Sequence, residues 1–268
     1  MPTTKNRAVP IPDSPPRRRN TATKSLRAPS SRRGIHPQVI IFDIDGVLVE
    51  TRDSFLRTTL ETVEFFTKKR VTMRQLHEWK NRPGFNDDWK LSTAWVRDLG
   101  FKVSYDDVKK KFQEIYWGKD GKNGNVLGER WLFPIAKLQQ LARRSELALF
   151  TGRVLPELDY TLDRNQVRRF FTTIMSVENM GRPKPAPDGL LKILKGRAPG
   201  VALYLGDNID DALAAKSAGV PFLGVLPRNG VERRQRGPTL KKLGALAILG
   251  GVNELEPWLN KRNSPRAS

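Results

Sequence analysis

From residue 132 onward, short apolar runs alternate with stretches of helical periodicity, and few folds accommodate that alternation. The apolar runs have the length of strands that are buried on both faces. We predict strands over residues 147–150, 173–176, 201–205, 222–225 and near 247–249. We predict helices over residues 135–144, 155–164, 188–195, 210–218 and near 253–259. Repeated strand–helix units of this kind form a parallel sheet with helices on both faces.

A further apolar run, Val39–Phe42, predicts the first strand far ahead of this region. Residues 51–130 separate it from the second strand, and their apolar side chains recur mostly at helical spacing. The chain is therefore predicted to be an α/β protein, with a Rossmann-like parallel sheet core and an inserted α-helical cap domain. The predicted bounds are 38–50 and 131–262 for the α/β core and 51–130 for the cap.

Residues 1–37 differ in composition from the rest of the chain. They contain seven prolines, nine Lys or Arg and a single acidic residue, Asp13. A segment with so few apolar side chains does not bury enough surface to offset the entropy of ordering it. We predict a disordered basic tail that carries +8 (nine basic minus one acidic) of the formal net charge of +20. Such a charge favours weak contact with polyanions.

Other features of the composition exclude whole classes of function. The sequence contains no cysteine, which excludes disulfides, thiolate metal sites and cysteine nucleophiles. No apolar run reaches the roughly 20 residues that cross a bilayer, so we expect no membrane partner. We predict a cytoplasmic location. An organelle is the alternative, because the Arg, Ser and Thr of residues 1–37 are also typical of a transit peptide.

Polar and charged residues follow four of the predicted strands, near the carboxyl ends where open α/β sheets bind ligands. In chain order they are Asp43 and Asp45, Thr151 and Gly152, Lys184, and Asp207 with Asp211. Each group alone is weak evidence, because aspartates also cap helices and shape turns. Four groups in order at four strand ends indicate one functional site.

These residue types suit phosphoryl transfer. A carboxylate such as Asp43 attacks phosphorus if a divalent cation cancels the repulsion between two anions. Asp43 and Asp207 offer the oxygen ligands that Mg²⁺ prefers. Lys184 supplies a fixed positive charge, and Thr151 a hydroxyl with backbone N–H groups nearby. Asp45 is placed to protonate the leaving oxygen and later to activate water.

The same residues carry a resemblance to a known family. Asp43-Ile44-Asp45-Gly46-Val47, Thr151, Lys184 and the segment 206–211 resemble the four ordered motifs of the haloacid dehalogenase superfamily. The resemblance covers residues 38–260. A helical insertion between the first two motifs is similar to the subfamily of phosphoglycolate phosphatase and β-phosphoglucomutase.

The resemblance implies a role for each matching residue. Asp43 would form an aspartyl-phosphate, and Asp45 would be the acid and base, with its backbone carbonyl a metal ligand. Thr151 and Lys184 would bind the phosphoryl oxygens, together with the neighbouring Gly152. Asp207 would complete the Mg²⁺ ligands, and Asp211 would hold those ligands in place without binding the metal itself.

Several functions remain open on the same core. A haloacid dehalogenase needs neither the metal nor an acid two residues after the nucleophile, so Asp45 favours a phosphatase. A phosphomutase uses the same residues and is the first alternative. The second alternative is a non-catalytic, basic nucleic-acid-binding protein with the same fold. A protein that no longer catalyses a reaction could lose Asp43 and Lys184, but both residues are present.

The substrate is predicted only as a class, a small phosphorylated metabolite. Phosphoglycolate, histidinol phosphate and a sugar phosphate all fit the pattern. Residues 83–89 have the composition of a turn within the predicted cap, and such loops commonly hold specificity groups. The candidates are Phe85, Asn86, Asp87 and Trp89, of which Phe85 and Trp89 are equally compatible with the cap interior.

Overall fold

The computed structural model of the protein describes residues 36–85, 87–119 and 122–263. Most of the predicted tail (1–37) lies outside these residues, and so does Asn86, one of the specificity candidates. Within the described ranges, no helix is both long and apolar enough to cross a membrane.

The strands alternate with helices along the chain. The strands are β1 (Val39–Phe42), β2 (Val49–Glu50), β3 (Gly118–Lys119), β4 (Lys122–Asn123), β5 (Arg130–Trp131), β6 (Glu146–Phe150), β7 (Thr173–Met175), β8 (Ala202–Gly206), β9 (Phe222–Val225) and β10 (Ala247–Leu249). Among the described residues, six of them form one sheet in the order β10-β9-β8-β1-β6-β7, and every neighbouring pair is parallel. This confirms the predicted α/β fold with a Rossmann-like parallel sheet.

The first strand, β1, lies in the middle of this sheet. Phe42 is in register with Leu149 of β6 on one side and with Leu205 of β8 on the other. All four residues of β1 are buried, as expected for a strand covered on both faces. The residues that follow β1, β6 and β8 therefore leave the sheet side by side.

Helices cover both faces of the sheet. The helices after β5 are α5 (Ile135–Ala142), α6 (Leu155–Arg164), α7 (Asp188–Leu194), α8 (Ile209–Ala218), α9 (Val231–Lys242) and α10 (Leu255–Asn263). Side chains of α5, α6 and α10 pack in one apolar cluster with Ile40 and Phe42. Those of α7, α8 and α9 pack in another with Val39 and Ile41, because successive residues of a strand face opposite sides.

Within the described residues, four α-helices precede β3: α1 (Arg57–Thr67), α2 (Met73–Lys80), α3 (Asp88–Asp98) and α4 (Tyr105–Trp117). They lie in residues 51–130, called the helical insertion below. Helix α1 packs against α3 and α4. The insertion has apolar clusters of its own, one around Trp79 and Trp95 and a second around Phe55 and Tyr116. The second cluster also packs against Tyr160 of α6, so it joins the insertion to a helix of the sheet.

Local differences from the sequence prediction have physical causes. The helical spacing of residues 51–130 is interrupted, because Lys68 ends α1 in the left-handed conformation and α2 begins after a capping box of Thr72 and Gln75. Helix α9 was not predicted. It is strongly basic and contains Pro238, and its buried apolar contact to the sheet is Leu240.

Candidate active site

Asp43 follows β1 directly and is held by the sheet. Its backbone N–H donates to the carbonyl of Leu205 at 2.9 Å, which carries the β1–β8 ladder one residue beyond the strand. The carboxylate oxygen Oδ1 accepts from the N–H of Ile44 at 2.8 Å. Asp43 is only 3% exposed, so the sheet positions a nearly buried carboxylate at its carboxyl edge.

The turn after Asp43 brings it close to the loop after β8. Gly46 has φ +72°, and a Cβ atom at this position would lie 2.6 Å from Asp207 Oδ2. Residues other than glycine rarely adopt this conformation, and none would leave room for the carboxylate. The glycine of the first motif therefore permits the close approach of Asp207.

Lys184 lies between two of the aspartates. Its Nζ is 3.0 Å from Asp43 Oδ1 and 2.7 Å from Asp211 Oδ1, and the side chain is buried. Burial alone lowers the pKa of Lys184, but the carboxylates of Asp211 and Asp43 outweigh it, so the pKa is raised. Lys184 therefore carries a permanent positive charge at the nucleophile candidate.

Both carboxylate oxygens of Asp211 accept hydrogen bonds from neighbouring groups. Its Oδ1 accepts from the hydroxyl of Tyr204 at 2.6 Å, and its Oδ2 accepts from the N–H groups of Asp207 and Asn208 at 3.1 and 3.0 Å. Together with Lys184, these contacts occupy both oxygens. Asp211 is therefore suited to hold Lys184 and the loop of Asp207 in place.

Asp43, Asp207 and Asp211 form a group with the geometry of a metal site. One carboxylate oxygen from each lies within 4.8 Å of the other two. Burial raises the pKa of Asp43 well above its usual range, and the nearby carboxylates add to this against the attraction of Lys184. Burial likewise raises the pKa of Asp207 to about 6. A crowded, partly desolvated set of carboxylates is the donor set that a hard divalent cation neutralises, so these residues fit Mg²⁺.

Arg236 of α9 also contacts this group, and the sequence prediction missed it. Its Nη1 donates to Asp207 Oδ2 at 3.1 Å and to the carbonyl of Asp207 at 3.0 Å. The only sequence signal is its position in an arginine-rich stretch, which is equally typical of a solvated surface. Arg236 is buried against Asp207 because α9 packs beside the loop after β8, and this depends on the tertiary fold rather than on local sequence.

Asp45 is paired with Arg153 rather than with the cations that contact Asp43 and Asp207. Its carboxylate accepts from Nε and Nη2 of Arg153, at 3.1 and 2.6 Å on Oδ1. From the sequence, Arg153 is equally compatible with a substrate contact and with a solvated residue at a helix start. The solvated alternative is wrong, since the side chain of Arg153 is 1% exposed.

Thr151 and Gly152 follow β6, next to the end of β1. Thr151 is fully buried, and its Oγ1 accepts from the N–H of Arg153 at 3.2 Å. Its N–H donates to the carbonyl of Met175 at 2.9 Å, which anchors the start of the loop. The sheet thus brings Asp43, Thr151 and Asp207 to one edge, as the sequence predicts.

The helical insertion faces this edge across a cavity of about 140 Å³. Asp45 and Asp207 line it from the sheet side, and His77 and Lys80 of α2 line it from the insertion. Lys80 Nζ is 2.8 Å from the carboxylate of Asp88. Although burial lowers the pKa of Lys80, Asp88 raises it further, so the cation persists.

Polar contacts join the insertion to the helices that cover the sheet. His77 Nε2 lies 3.0 Å from Glu232 of α9. The N–H of Gly84 donates to both carboxylate oxygens of Asp210 at 3.2 Å. Since Gly84 contacts α8, the chain directly before the specificity candidates lies beside the carboxyl edge of the sheet.

Three of the four specificity candidates are among the described residues. Phe85 packs edge-on against Trp79, with ring centroids 5.2 Å apart. Asp87 is the N-cap of α3, accepting from the N–H groups of Trp89 and Lys90 at 2.9 and 3.1 Å. Trp89 lies within α3 and packs on the cluster around Phe55. Each of these side chains thus has a structural contact within the insertion.

Comparison with known families identifies the fold. The sequence model described as haloacid dehalogenase-like hydrolase matches residues 40–225, more than half of the chain. The chain belongs to this hydrolase family. The matched region contains Asp43, Asp45, Thr151, Lys184, Asp207 and Asp211, whereas α9 with Arg236 lies beyond it.

Two relatives of this haloacid dehalogenase-like chain differ in how much of their own length it matches. The chain is 29% identical over 240 residues to an imidazoleglycerol-phosphate dehydratase of Phytophthora nicotianae. The aligned residues cover 81% of this chain and 51% of that protein. The chain thus spans about half the length of that relative. It is 25% identical to phosphoglycolate phosphatase 1 of Pseudomonas aeruginosa, over 69% of this chain and 67% of the relative.

Solved structures share the fold at lower identity. CbbY from Rhodobacter sphaeroides, solved in complex with phosphate, matches with a TM-score of 0.62 and 21% identity, over 82% of this chain and 96% of that one. A haloacid dehalogenase-like protein from Agrobacterium tumefaciens matches with a TM-score of 0.66 and 16% identity, over 85% of this chain and 100% of that one. Both likenesses show the fold of the family.

Proposed function

We propose that this haloacid dehalogenase-like hydrolase is a Mg²⁺-dependent phosphatase that hydrolyses a small phosphomonoester, with Asp43 as the nucleophile. The observation that supports this most strongly is the setting of Asp43. Its carboxylate is nearly buried at the central strand end, 3.0 Å from Lys184 and grouped with Asp207 and Asp211. A purely structural aspartate would not require a lysine and two further carboxylates around it.

The first step transfers the phosphoryl group to the protein. A carboxylate oxygen of Asp43 attacks phosphorus, the new Asp43 O–P bond forms, and the bond from phosphorus to the ester oxygen breaks. The leaving oxygen takes its proton from the carboxyl group of Asp45, so the alcohol departs neutral. Lys184 and the loop of Thr151 and Gly152 bind the phosphoryl oxygens, whose charge is spread in the transition state.

The second step returns Asp43 to its starting state. Asp45, now a carboxylate, takes a proton from water, and the water oxygen attacks the phosphorus of the aspartyl-phosphate. The Asp43 O–P bond breaks and inorganic phosphate is released. The proton that Asp45 gave in the first step is regained in the second, so the cycle consumes one ester and one water.

Asp43, Asp207 and the backbone carbonyl of Asp45 are the ligands that we propose for Mg²⁺, with Asp211 as support. When bound, the ion offsets the negative charge shared by the attacking carboxylate and the phosphate. The donors on Asp211 agree with a supporting role, because Tyr204, Lys184 and two backbone N–H groups already occupy its oxygens.

The helical insertion (51–130) is proposed as a cap that excludes water and selects the leaving group. The cavity of about 140 Å³ beside Asp45 suits a small phosphorylated metabolite rather than a polymer. Phe85, Asn86, Asp87 and Trp89 remain the specificity candidates, and Lys80 joins them because it lines the cavity.

Phosphate release from a panel of phosphorylated metabolites tests the proposal. We expect release with Mg²⁺, loss of release with excess chelator, and recovery when Mg²⁺ is restored. Asp43→Asn should abolish turnover while its Tm stays within a few degrees of the wild type. Residual turnover within tenfold of the wild type would contradict the role of Asp43.

A separate outcome would indicate the alternative reaction. If phosphate moves between two hydroxyl groups of one substrate without release, the protein is a phosphomutase. Following ³¹P signals of substrate, product and free phosphate in one sample distinguishes the two reactions.

A further inference from the structure

Arg153 is among the most completely buried large side chains in the described part of the chain. It follows Thr151 and Gly152 in the loop after β6 and precedes α6. A buried guanidinium is costly unless all sides of it meet acceptors. Its partners are therefore informative about what the loop is built to hold.

The first partner of Arg153 is Asp45. Nε donates to both carboxylate oxygens, at 3.1 Å to Oδ1 and 3.2 Å to Oδ2, and Nη2 donates to Oδ1 at 2.6 Å. Two nitrogens of a planar guanidinium on one carboxylate fix its orientation as well as its position. The side chain of Asp45 is 36% exposed and lines the cavity, whereas that of Arg153 is 1% exposed.

The second partner is Glu129, in the segment that returns from the helical insertion to the sheet. Nη2 of Arg153 lies 2.8 Å from Glu129 Oε1. The same Oε1 accepts from the hydroxyl of Tyr116 in α4 at 2.7 Å. Glu129 Oε2 accepts from Thr161 of α6 at 2.7 Å, and Nη1 of Arg153 donates to that hydroxyl oxygen at 2.5 Å. This closed network joins the returning segment to α4 and α6.

The outgoing segment also contacts Arg153. Phe55, in a π-helical turn at Arg52–Leu56, lies with its ring under the guanidinium, 4.8 Å from the ring centroid to Cζ. Phe55 in turn packs on Tyr116, with ring centroids 4.5 Å apart. Both chain segments that join the insertion to the sheet therefore meet at one arginine, which also holds Asp45.

We propose that Arg153 is a positioning residue, which fixes the carboxylate of Asp45 and ties its orientation to the two segments joining the helical insertion to the sheet. The inference rests on the proposed function, because Asp45 needs an orientation only if it handles a proton. Holding a reacting group in a productive geometry contributes strongly to rate, and small misplacements are costly. The hydrogen bonds described for the Asp45 carboxylate all come from this fork, so its loss would leave other rotamers of Asp45 accessible.

The test compares two substrates that differ in their need for an acid. An alkyl phosphate from the panel has a poor leaving group, whereas p-nitrophenyl phosphate releases a stabilised phenolate that needs little protonation. We expect Arg153→Met to lower kcat on the alkyl phosphate by ~10²-fold or more, in the range of acid–base groups, and on the aryl ester by less than tenfold. Arg153→Lys should restore part of the loss, because a cation that donates hydrogen bonds remains although the planar fork is lost.

A control variant and a double variant keep the result interpretable. Arg197→Met removes another fork-like pair, to Glu146, on the exposed side of the protein, and should lower neither kcat. Because Arg153→Met leaves Glu129 buried without its cation, the double variant Arg153→Met/Glu129→Gln removes both charges together. It should show the same difference between the two substrates. Equal losses on both substrates, or no loss on either, would overturn the proposal.

Thermal unfolding gives a readout that does not depend on activity. In a double-mutant cycle of Arg153→Met and Asp45→Asn, we expect the combined change in Tm to differ clearly from the sum of the single changes. Additive changes would show that the two side chains do not interact, and would overturn the proposal even in an active enzyme. If the wild type hydrolyses no phosphomonoester, the proposed function fails, while the cycle still decides whether Arg153 holds Asp45.

Discussion

Replacing Asp207 by Asn should make the metal-free protein more stable at neutral pH. Asp207 is grouped with the buried Asp43 and Asp211 and is itself mostly buried, and burial is the largest cause that raises its pKa from 3.8 to about 6. That difference is about two pH units, and each corresponds to 1.36 kcal/mol. The ionised carboxylate therefore costs the folded state about 3 kcal/mol, a cost that the neutral amide avoids.

The sign of the pH dependence follows from the same values. Because the pKa of Asp207 is higher in the folded state than in the unfolded chain, the folded protein binds this proton more tightly. The cost is absent below about pH 4, grows between about pH 4 and pH 6, and is fully present above about pH 6. The stability difference between Asp207→Asn and the wild type should grow over that window and then stay constant.

Urea unfolding in the presence of a chelator measures the difference at each pH. A gain of about 3 kcal/mol corresponds to roughly 6–12 °C in Tm for a domain of this size. Asp98→Asn, at an exposed carboxylate, is the matched control and should change stability by less than about 0.5 kcal/mol. Adding Mg²⁺ should reverse the order, since the wild type gains stability from a ligand that the variant binds poorly.

The reasoning is refuted by either of two results. One is that Asp207→Asn is less stable than the wild type at pH 8 without metal. The other is that Mg²⁺ stabilises both proteins equally. The first result would mean that the ion pair with Arg236 outweighs the burial of Asp207. The second would mean that Asp207 is not a metal ligand.

Three further outcomes are expected. Asp45→Asn should slow turnover of an alkyl phosphate by ~10²–10⁴-fold, measured as kcat, and a loss below tenfold would count against its role. Asp87→Ala should lower the free energy of unfolding by about 1 kcal/mol, because the N-cap of α3 is lost; unchanged stability would free Asp87 for a role in specificity. Deleting residues 1–35 should weaken salt-sensitive binding to heparin, measured by elution from a column, and leave kcat/KM on a small substrate unchanged. A large rise in KM would show that these residues contribute to the site.

The sheet and the ends of its strands were predictable because local pattern and global fold agree there. Val39–Phe42 is apolar at every position, so it had to be buried on both faces, and the polar residues after it had to lie at the carboxyl edge. The same reasoning placed Thr151 and Asp207. In each case the functional residue directly follows the last residue of a buried strand, so locating the strand also locates the residue.

The contacts that the sequence did not reveal depend on long-range packing. Arg236 and Lys80 lie in basic stretches, where a residue at the site has the same local pattern as a solvated one. Glu129 lies directly before the short strand β5, and its partner Arg153 follows more than twenty residues later. Such ion pairs form only when the insertion has packed on the sheet, so no local periodicity predicts them.

The central place of β1 also determines how the site responds to slow opening of the protein. The amides of β1 are bonded to strands on both sides, so they should exchange with deuterium only when the whole sheet unfolds. Glu129 and Phe55 lie in segments outside this sheet, and their amides should exchange earlier. Asp43 would thus stay in place through partial openings that release Asp45, and a sample warmed below its Tm should lose acid–base chemistry before it loses its nucleophile.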